Sequence, residues 1–374
     1  MTFDLHSEGA TMISFSPSEE QALIVDTLKR FAKDRLRSIF READENGELP
    51  ADILSKGWEL GLVGSSIPEQ YGGFGEFSAV TGALALEELA WGDLASALAL
   101  SAPASFAFAI LAAGTEAQRE ALLPQFSEES FVNATSALIE PRLQFNPRKL
   151  QTTATRDGDG YVLNGVKSYV PLANSAEHFL IYAAEDGQTQ AFIVPTKTTG
   201  LTVGEREKLM GVRALEVARI TLDNVKVAAD AKLGGEAGID FGRLYARSQV
   251  GLAALAVGVA RGAYEYALDY ARNRQTFGEA IGQRQSIAFM LAEMLVEIDG
   301  ARLMVWEAAW KLDNNQEVTR DALMAKHNAD KTVLMVCDRA LQILGGHGYI
   351  REFPVELWLR NARGFSTFDG LAMV

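Results

Sequence analysis

Arg274, Thr276 and Phe277 stand together in "RNRQTFGEAIGQRQ" (residues 272–285), a phenylalanine-glycine corner between two long helical patterns. An arginine there offers a delocalised cation with several donors, suited to phosphate. The threonine adds a hydroxyl donor and the phenylalanine an apolar face. A second stretch, "QILGGHG" (residues 342–348), places Gly345, Gly346 and Gly348 where backbone amides can approach an anion with no Cβ in the way. Alone, that loop reads equally well as a helix cap and turn. Beside the arginine corner, it points to a phosphate-bearing partner held at the surface.

The rest of the composition limits that partner. At 374 residues the chain can bury a large core. Its net charge of -14 argues against non-specific binding to nucleic acid or anionic membrane, since both need clustered Lys and Arg. No residue is assigned to a metal. The single cysteine, Cys337, allows no intrachain disulfide, which suits a reducing cytoplasm. No apolar run is read as reaching about 18 residues without polar interruption, so no membrane span is expected. Residues 1–12 lack the basic and apolar regions of a secretory signal, and the expected location is cytoplasmic.

Three regions must position these residues. Residues 16 to about 125 read as helix, with Ser16 as N-cap and Pro17 at the first helical position. From about Phe131 to Lys232 the texture becomes short strands of about four to eight residues with no helices between them, which predicts an antiparallel sheet or small barrel. Residues 239–365 are helical again. Ile287, Leu291, Met294, Ile298 and Ala301 recur at three- and four-residue spacing, the stripe of a bundle core. The predicted class is α+β: an N-terminal helical domain (1–127), a middle antiparallel β-domain (128–234) and a C-terminal four-helix bundle (235–374).

In this layout the two opening stretches, together with "PEQYGG", "NGVKSYV", "KLMGVR" and "FMLAEM", closely resemble the flavin-dependent acyl-CoA dehydrogenase family. The resemblance runs over nearly the whole chain and implies the same three-part fold with FAD as cofactor. It implies that Arg274, Thr276, Phe277, Gln342, Gly345 and Gly346 reach the adenine and pyrophosphate part of a neighbouring subunit's FAD, and that Tyr169 stacks on the flavin. The reaction it implies is α,β-dehydrogenation of an acyl thioester, on coenzyme A or a carrier protein. A carboxylate takes the α-proton, the β-hydrogen leaves as hydride, and an electron-transferring flavoprotein accepts the electrons. The base of most members is a Glu before a Gly. Here Asp369 takes that place beside Gly370, and with one methylene fewer it reaches about 1.5 Å less far. Gly370 and Arg247 fall at the family's substrate pocket, although Arg247 reads equally as half of a surface ion pair.

The flavin wall departs from the family. "IEPRLQFNP" puts Arg142, Gln144 and Phe145 where small residues are usual, and "YVPLA" puts Pro171, which has neither hydroxyl nor N–H, where a Thr is usual. The given chain stops at Val374, where the family continues with further FAD contacts. Two assemblies follow as expectations: an active homo-oligomer, dimer or tetramer, or one subunit of a heteromeric dehydrogenase. From another class, a non-catalytic scaffold or thioester-binding relative also fits the altered wall.

Overall fold

The computed structural model describes residues 14–374, so the reading of residues 1–12 lies outside the described residues. Ser18, not Ser16, caps the first helix. Its hydroxyl accepts the Gln21 N–H while the Gln21 side chain accepts the Ser18 N–H, and this reciprocal box outcompetes a cap two residues earlier. Helix α1 (Glu19–Phe31) passes through a π-helical turn into α2 (Arg37–Asn46), then α3 (Ile53–Trp58), α4 (Ala79–Gly92), α5 (Leu94–Ala113) and α6 (Glu116–Leu122). Helix α5 meets the reading of apolar runs at its limit: its 20 residues carry no charge and, although Ser96, Ser101 and Ser105 interrupt them, are long and apolar enough to cross a membrane. It is buried from Leu94 to Leu111, because α3, α4, α6, α7 and the sheet surround it. A helix that is apolar on every side has to be covered on every side.

The middle unit is a seven-stranded sheet of β1 (Ala134–Ala137), β2 (Thr153–Asp157), β3 (Gly160–Pro171), β4 (His178–Glu185), β5 (Gln188–Pro195), β6 (Leu201–Arg206) and β7 (Val217–Ala228). The order is β1-β4-β2-β3-β7-β6, with β5 added to β4. Most pairs are antiparallel, while β1 and β2 each lie parallel to β4. Strands β3 and β7 run 12 residues each, longer than their local turn signals suggest, because two bulges absorb the irregular stretches without ending the pairing. One of these bulges, between Lys167 and Val170, sets the wall of the candidate site.

The chain then forms α7 (Phe241–Asn273), a hairpin of β8 (Gln275–Thr276) and β9 (Glu279–Ala280), and α8 (Gln285–Asp313), α9 (Thr319–Leu344) and α10 (Val355–Ala362). Leu291, Met294, Ile298 and Ala301 are buried as the stripe requires, with Ile287 half-buried at its edge. Helices α4 and α7 approach closely at Gly258, where a Cβ would come within 2.2 Å of the Glu87 carbonyl oxygen. Glu87 and Glu88 of α4 then bind Arg261 of α7 and Arg302 of α8 at 2.7–3.0 Å, which ties the first helical unit to the last.

Candidate active site

A cleft of about 520 Å³ opens between the sheet and the turn after α10, lined by Glu140, Phe145, Ser168, Tyr169, Thr367 and Asp369 among others. Asp369 is half-buried in that turn. The Tyr245 hydroxyl, from the first turns of α7, donates to its Oδ1 at 2.7 Å. Tyr245 is braced by ring stacking on Phe241 at 5.6 Å. Burial, then the adjacent carboxylate, holds its phenol well above the ordinary value, so it stays protonated and acts as a donor. The next residue, Gly370, has φ 78, and Ser136 Oγ donates to its carbonyl at 3.0 Å. A Cβ there would stand 2.9 Å from two Leu138 side-chain atoms. Gly370→Ala therefore combines left-handed strain with a clash. The expected cost is about 1–3 kcal/mol in a denaturant titration, with displacement of the neighbouring carboxylate.

Tyr169 sits on the opposite wall in left-handed conformation, φ 55. A residue with a bulky ring holds that conformation only when its surroundings impose it. Glu207 does so: its carboxylate accepts the Tyr169 N–H at 2.8 Å, the Ser168 hydroxyl at 2.9 Å and the Arg219 Nε at 3.0 Å. Beneath them Lys167 is fully buried, donating to the Leu138 carbonyl at 3.1 Å and to Glu140 Oε1 at 3.3 Å. Desolvation lowers the Lys167 ammonium to about 8. Glu140 also accepts the Gln151 and Thr152 backbone N–H groups at 2.8 and 2.7 Å. The pair clamps both ends of the loop that carries Arg142 and Phe145, and the half-buried Phe145 ring forms part of the cleft wall.

The two phosphate-directed stretches lie side by side. Tyr270, one turn before Arg274, shares a 2.8 Å hydrogen bond with His347 Nδ1 in the glycine loop, and the His347 ring stacks on Phe353 at 4.6 Å. The corner is a tight hairpin whose central residues, Phe277 and Gly278, have φ 55 and 88. Phe277 is 95% exposed, with the Arg284 guanidinium 5.3 Å from its ring. Arg274 and Gln342 are exposed and Thr276 is half-buried. A Cβ at Gly345 or Gly346 would meet nothing within 4 Å, so the loop is uncovered there, while the Gly345 N–H donates to the Gln342 carbonyl. Gly348 differs: a Cβ there would lie 2.3 Å from the Leu341 carbonyl oxygen, so its small size serves packing. None of these groups lines the cleft that holds Asp369 and Tyr169.

Arg247 is not among the residues that line the cleft. It is buried, with its guanidinium 4.0 Å from the Phe77 ring centroid and Nη1 donating to the Val374 carbonyl at 2.8 Å. Two residues along a helix turn a side chain by about 200°. With Tyr245 facing Asp369, Arg247 has to face elsewhere. That spacing was the available signal for Tyr245. Glu207 and Lys167 gave none, since their partners are set by sheet pairing.

The cleft thus sets the half-buried Asp369 and the Tyr169 ring in one site, with the arginine corner and the glycine loop outside it. Models of the acyl-CoA dehydrogenase N-terminal, middle and C-terminal domains match residues 18–130, 135–225 and 244–373. The chain is 36% identical over 372 residues to the probable acyl-CoA dehydrogenase YngJ of Bacillus subtilis, covering 97% of each. It is 34% identical over 373 residues to the caffeyl-CoA reductase-Etf complex subunit CarC of Acetobacterium woodii, covering 96% of each. A solved FAD complex of PigA is 27% identical with a TM-score of 0.88, again covering 96% of each chain. The chain belongs to the acyl-CoA dehydrogenase family, and its class of activity is FAD-dependent α,β-dehydrogenation of an acyl thioester.

The residues present fit that cofactor in two separate places. The cleft offers the Tyr169 ring and the Ser366 and Thr367 hydroxyls to a flavin ring system. The uncovered surface at Gly345 and Gly346, with exposed Arg274 in the linked corner, leaves room for a pyrophosphate to approach.

Proposed function

We propose that the protein works as an oligomer in which each cleft takes the flavin end of FAD. A neighbouring copy supplies Arg274, Thr276, Phe277, Gln342, Gly345 and Gly346 to the nucleotide end. The observation that carries this reading is the separation: the grips form one linked surface feature and none of them lines the chain's own cleft. An apolar strip on the outer face of α8, with Phe289, Val296 and Leu303 exposed, supports a subunit contact there. In this reading Asp369 removes the proton α to the thioester carbonyl while Tyr245 fixes its carboxylate. Phe145 and Tyr169 keep water from the reacting carbons. FAD, when bound, supplies the acceptor for the β-hydrogen. The thioester is carried by coenzyme A or a carrier protein, and an electron-transferring flavoprotein takes up the electrons, as the name of the CarC relative suggests by analogy. The lone thiol suits a cytoplasmic setting.

A second reading, a mixed oligomer with the flavin seated mainly in a homologous subunit, is favoured by the Phe145 ring in the wall and by the buried Pro171. The visible spectrum of the chain purified alone separates the two. Near-stoichiometric flavin supports the homo-oligomer. Flavin that binds only with a co-expressed homologue supports the mixed complex, and none with any partner leaves a scaffold. Arg274→Ala removes charge-assisted bonds to phosphate and is expected to weaken FAD retention by roughly 10- to 100-fold. A monomeric species keeping its full FAD would contradict the shared site.

A further inference from the structure

The turn that carries Asp369 is held from behind. Phe365–Thr367 form one short 3₁₀ turn, and Phe365 and Phe368 are buried with their rings edge to face at 5.7 Å. The Phe365 carbonyl closes this turn only weakly, accepting the Phe368 N–H at 3.5 Å. A second donor reaches the same oxygen: the ammonium of Lys326, from α9, at 2.8 Å. Lys326 also donates to both carboxylate oxygens of Asp330, one turn further along α9, at 2.8 and 2.7 Å. These three contacts match the three N–H donors of an ammonium. Lys326 is buried and Asp330 half-buried, so the ammonium cannot leave its partners without stranding charge in the interior. The Phe365 carbonyl, four residues before Asp369, is thereby pinned to α9.

Asp330 is also near enough to Asp369 for the two carboxylates to act on each other. Burial, and after it the Asp369 charge, push the Asp330 carboxyl above its ordinary value against the pull of Lys326. The other titratable groups around this pair are His327 on α9 and Tyr245 on α7, with Arg148 beyond the phenol. Across the cleft Glu140 is paired with Lys167 and Arg142, and Glu207 with Arg219. We propose that Lys326 and Asp330 are positioning residues for the base: Lys326 fixes the height at which the turn presents the Asp369 carboxylate, and Asp330 sets a second negative charge behind it. This rests on the reading of Asp369 as the base of the thioester reaction. The short aspartate makes placement matter, since a displacement of about 1 Å can cost roughly a hundredfold in rate.

The test follows anaerobic bleaching of the FAD-loaded enzyme across pH, with whichever of butanoyl-, octanoyl- and dodecanoyl-CoA bleaches wild type fastest. Lys326→Met alone strands the Asp330 charge, so the variant of choice is the double change Lys326→Met with Asp330→Asn. Its limiting rate on the high-pH plateau is expected to fall about 10- to 100-fold, while the KM for the thioester, the FAD content and the thermal midpoint stay near wild type. Without substrate, amide exchange in residues 365–369 of that variant is expected to quicken about tenfold. Asp330→Asn alone keeps Lys326 on the Phe365 carbonyl and removes the like charge. Asp369 then ionises more readily, and the acid limb of the rate profile is expected to move about one unit to lower pH. A wild-type plateau in the double variant, a rate loss that only tracks lost FAD, or an unmoved acid limb in Asp330→Asn overturns the proposal. Should the double variant fail to fold, the limb of the single one decides. Asp369→Asn, run alongside, keeps the two readings apart. Where it abolishes bleaching and the α9 variants behave as wild type, only the positioning falls. Where it bleaches at the wild-type rate, or no thioester bleaches wild type, the assignment of the base falls and the positioning with it.

Discussion

Asp369→Asn abolishes the anaerobic bleaching of bound flavin by substrate and leaves the cofactor in place. The amide keeps the size of the side chain and its acceptor for the Tyr245 hydroxyl, so the turn and the cleft wall persist. What it removes is the basic carboxylate of Asp369, while the other two carboxylates of the cleft, Glu140 and Glu207, stay paired with Lys167 and Arg219. A positioned general base contributes about 10²- to 10⁴-fold, and the rate of bleaching should fall by at least that much. Tyr245→Phe provides the graded companion. It leaves the base and loses one hydrogen bond, so its loss should be closer to tenfold. Stopped-flow absorbance at the flavin band measures both. Bleaching at the wild-type rate in Asp369→Asn would show that another group takes the proton.

Lys167→Met carries the largest expected cost in stability. Its ammonium is fully buried and is the main counter-charge to Glu140, which is itself buried. Removing one partner strands the other charge in the interior, at a cost of about 3–5 kcal/mol. The urea midpoint should fall accordingly, and the 140–152 loop should loosen with it. Loss of FAD from a chain that still folds would link the buried pair to the cleft wall. The double change Lys167→Met with Glu140→Gln should cost less than the two single changes added together, because no stranded charge remains. The pH dependence has a definite sign. Native Lys167 is lowered to about 8 from an ordinary 10.5, so between those values the unfolded chain holds a proton that the native state has released. Its contribution to stability therefore rises with pH across that window, and Lys167→Met should flatten the slope. An unchanged midpoint at neutral pH would mean that the pair contributes nothing net.

Much of the architecture was legible in the sequence because it is periodic. The α8 stripe at three- and four-residue spacing became a buried face, and the switch from helix to alternating β-formers marked the sheet. What misled was local competition and long-range pairing. Ser16 and Ser18 are both good caps, and only Gln21 three residues on decides for Ser18. The parallel pairing of β1 with β4 leaves no mark in either strand. Serines interrupt the apolar run of residues 94–113 in sequence, yet hydroxyls such as Ser105 turn back onto the helix's own carbonyls and vanish into the interior. In the site, the arginine corner and the glycine loop were legible as spacing, whereas the Tyr270–His347 bond that joins them was not. Glu207 and Lys167 act across long stretches of chain, and nothing in their neighbours announces it, whereas Tyr245 had only its helical spacing as a signal. Arg247 was singled out by the family resemblance, and its burial against Phe77 and Val374 left no mark in the sequence.

Helix α5 has a consequence for how the protein is made. On the ribosome, its uncharged residues emerge before any strand of the sheet, and α7, which covers one of its sides, is translated only after all seven strands. For that interval the nascent chain displays a stretch greasy enough to be taken for a membrane anchor or to cluster with its own kind. Native burial cannot be completed until late in translation, so the yield of this enzyme in a cell depends on whatever shields residues 94–113 while the rest is being added.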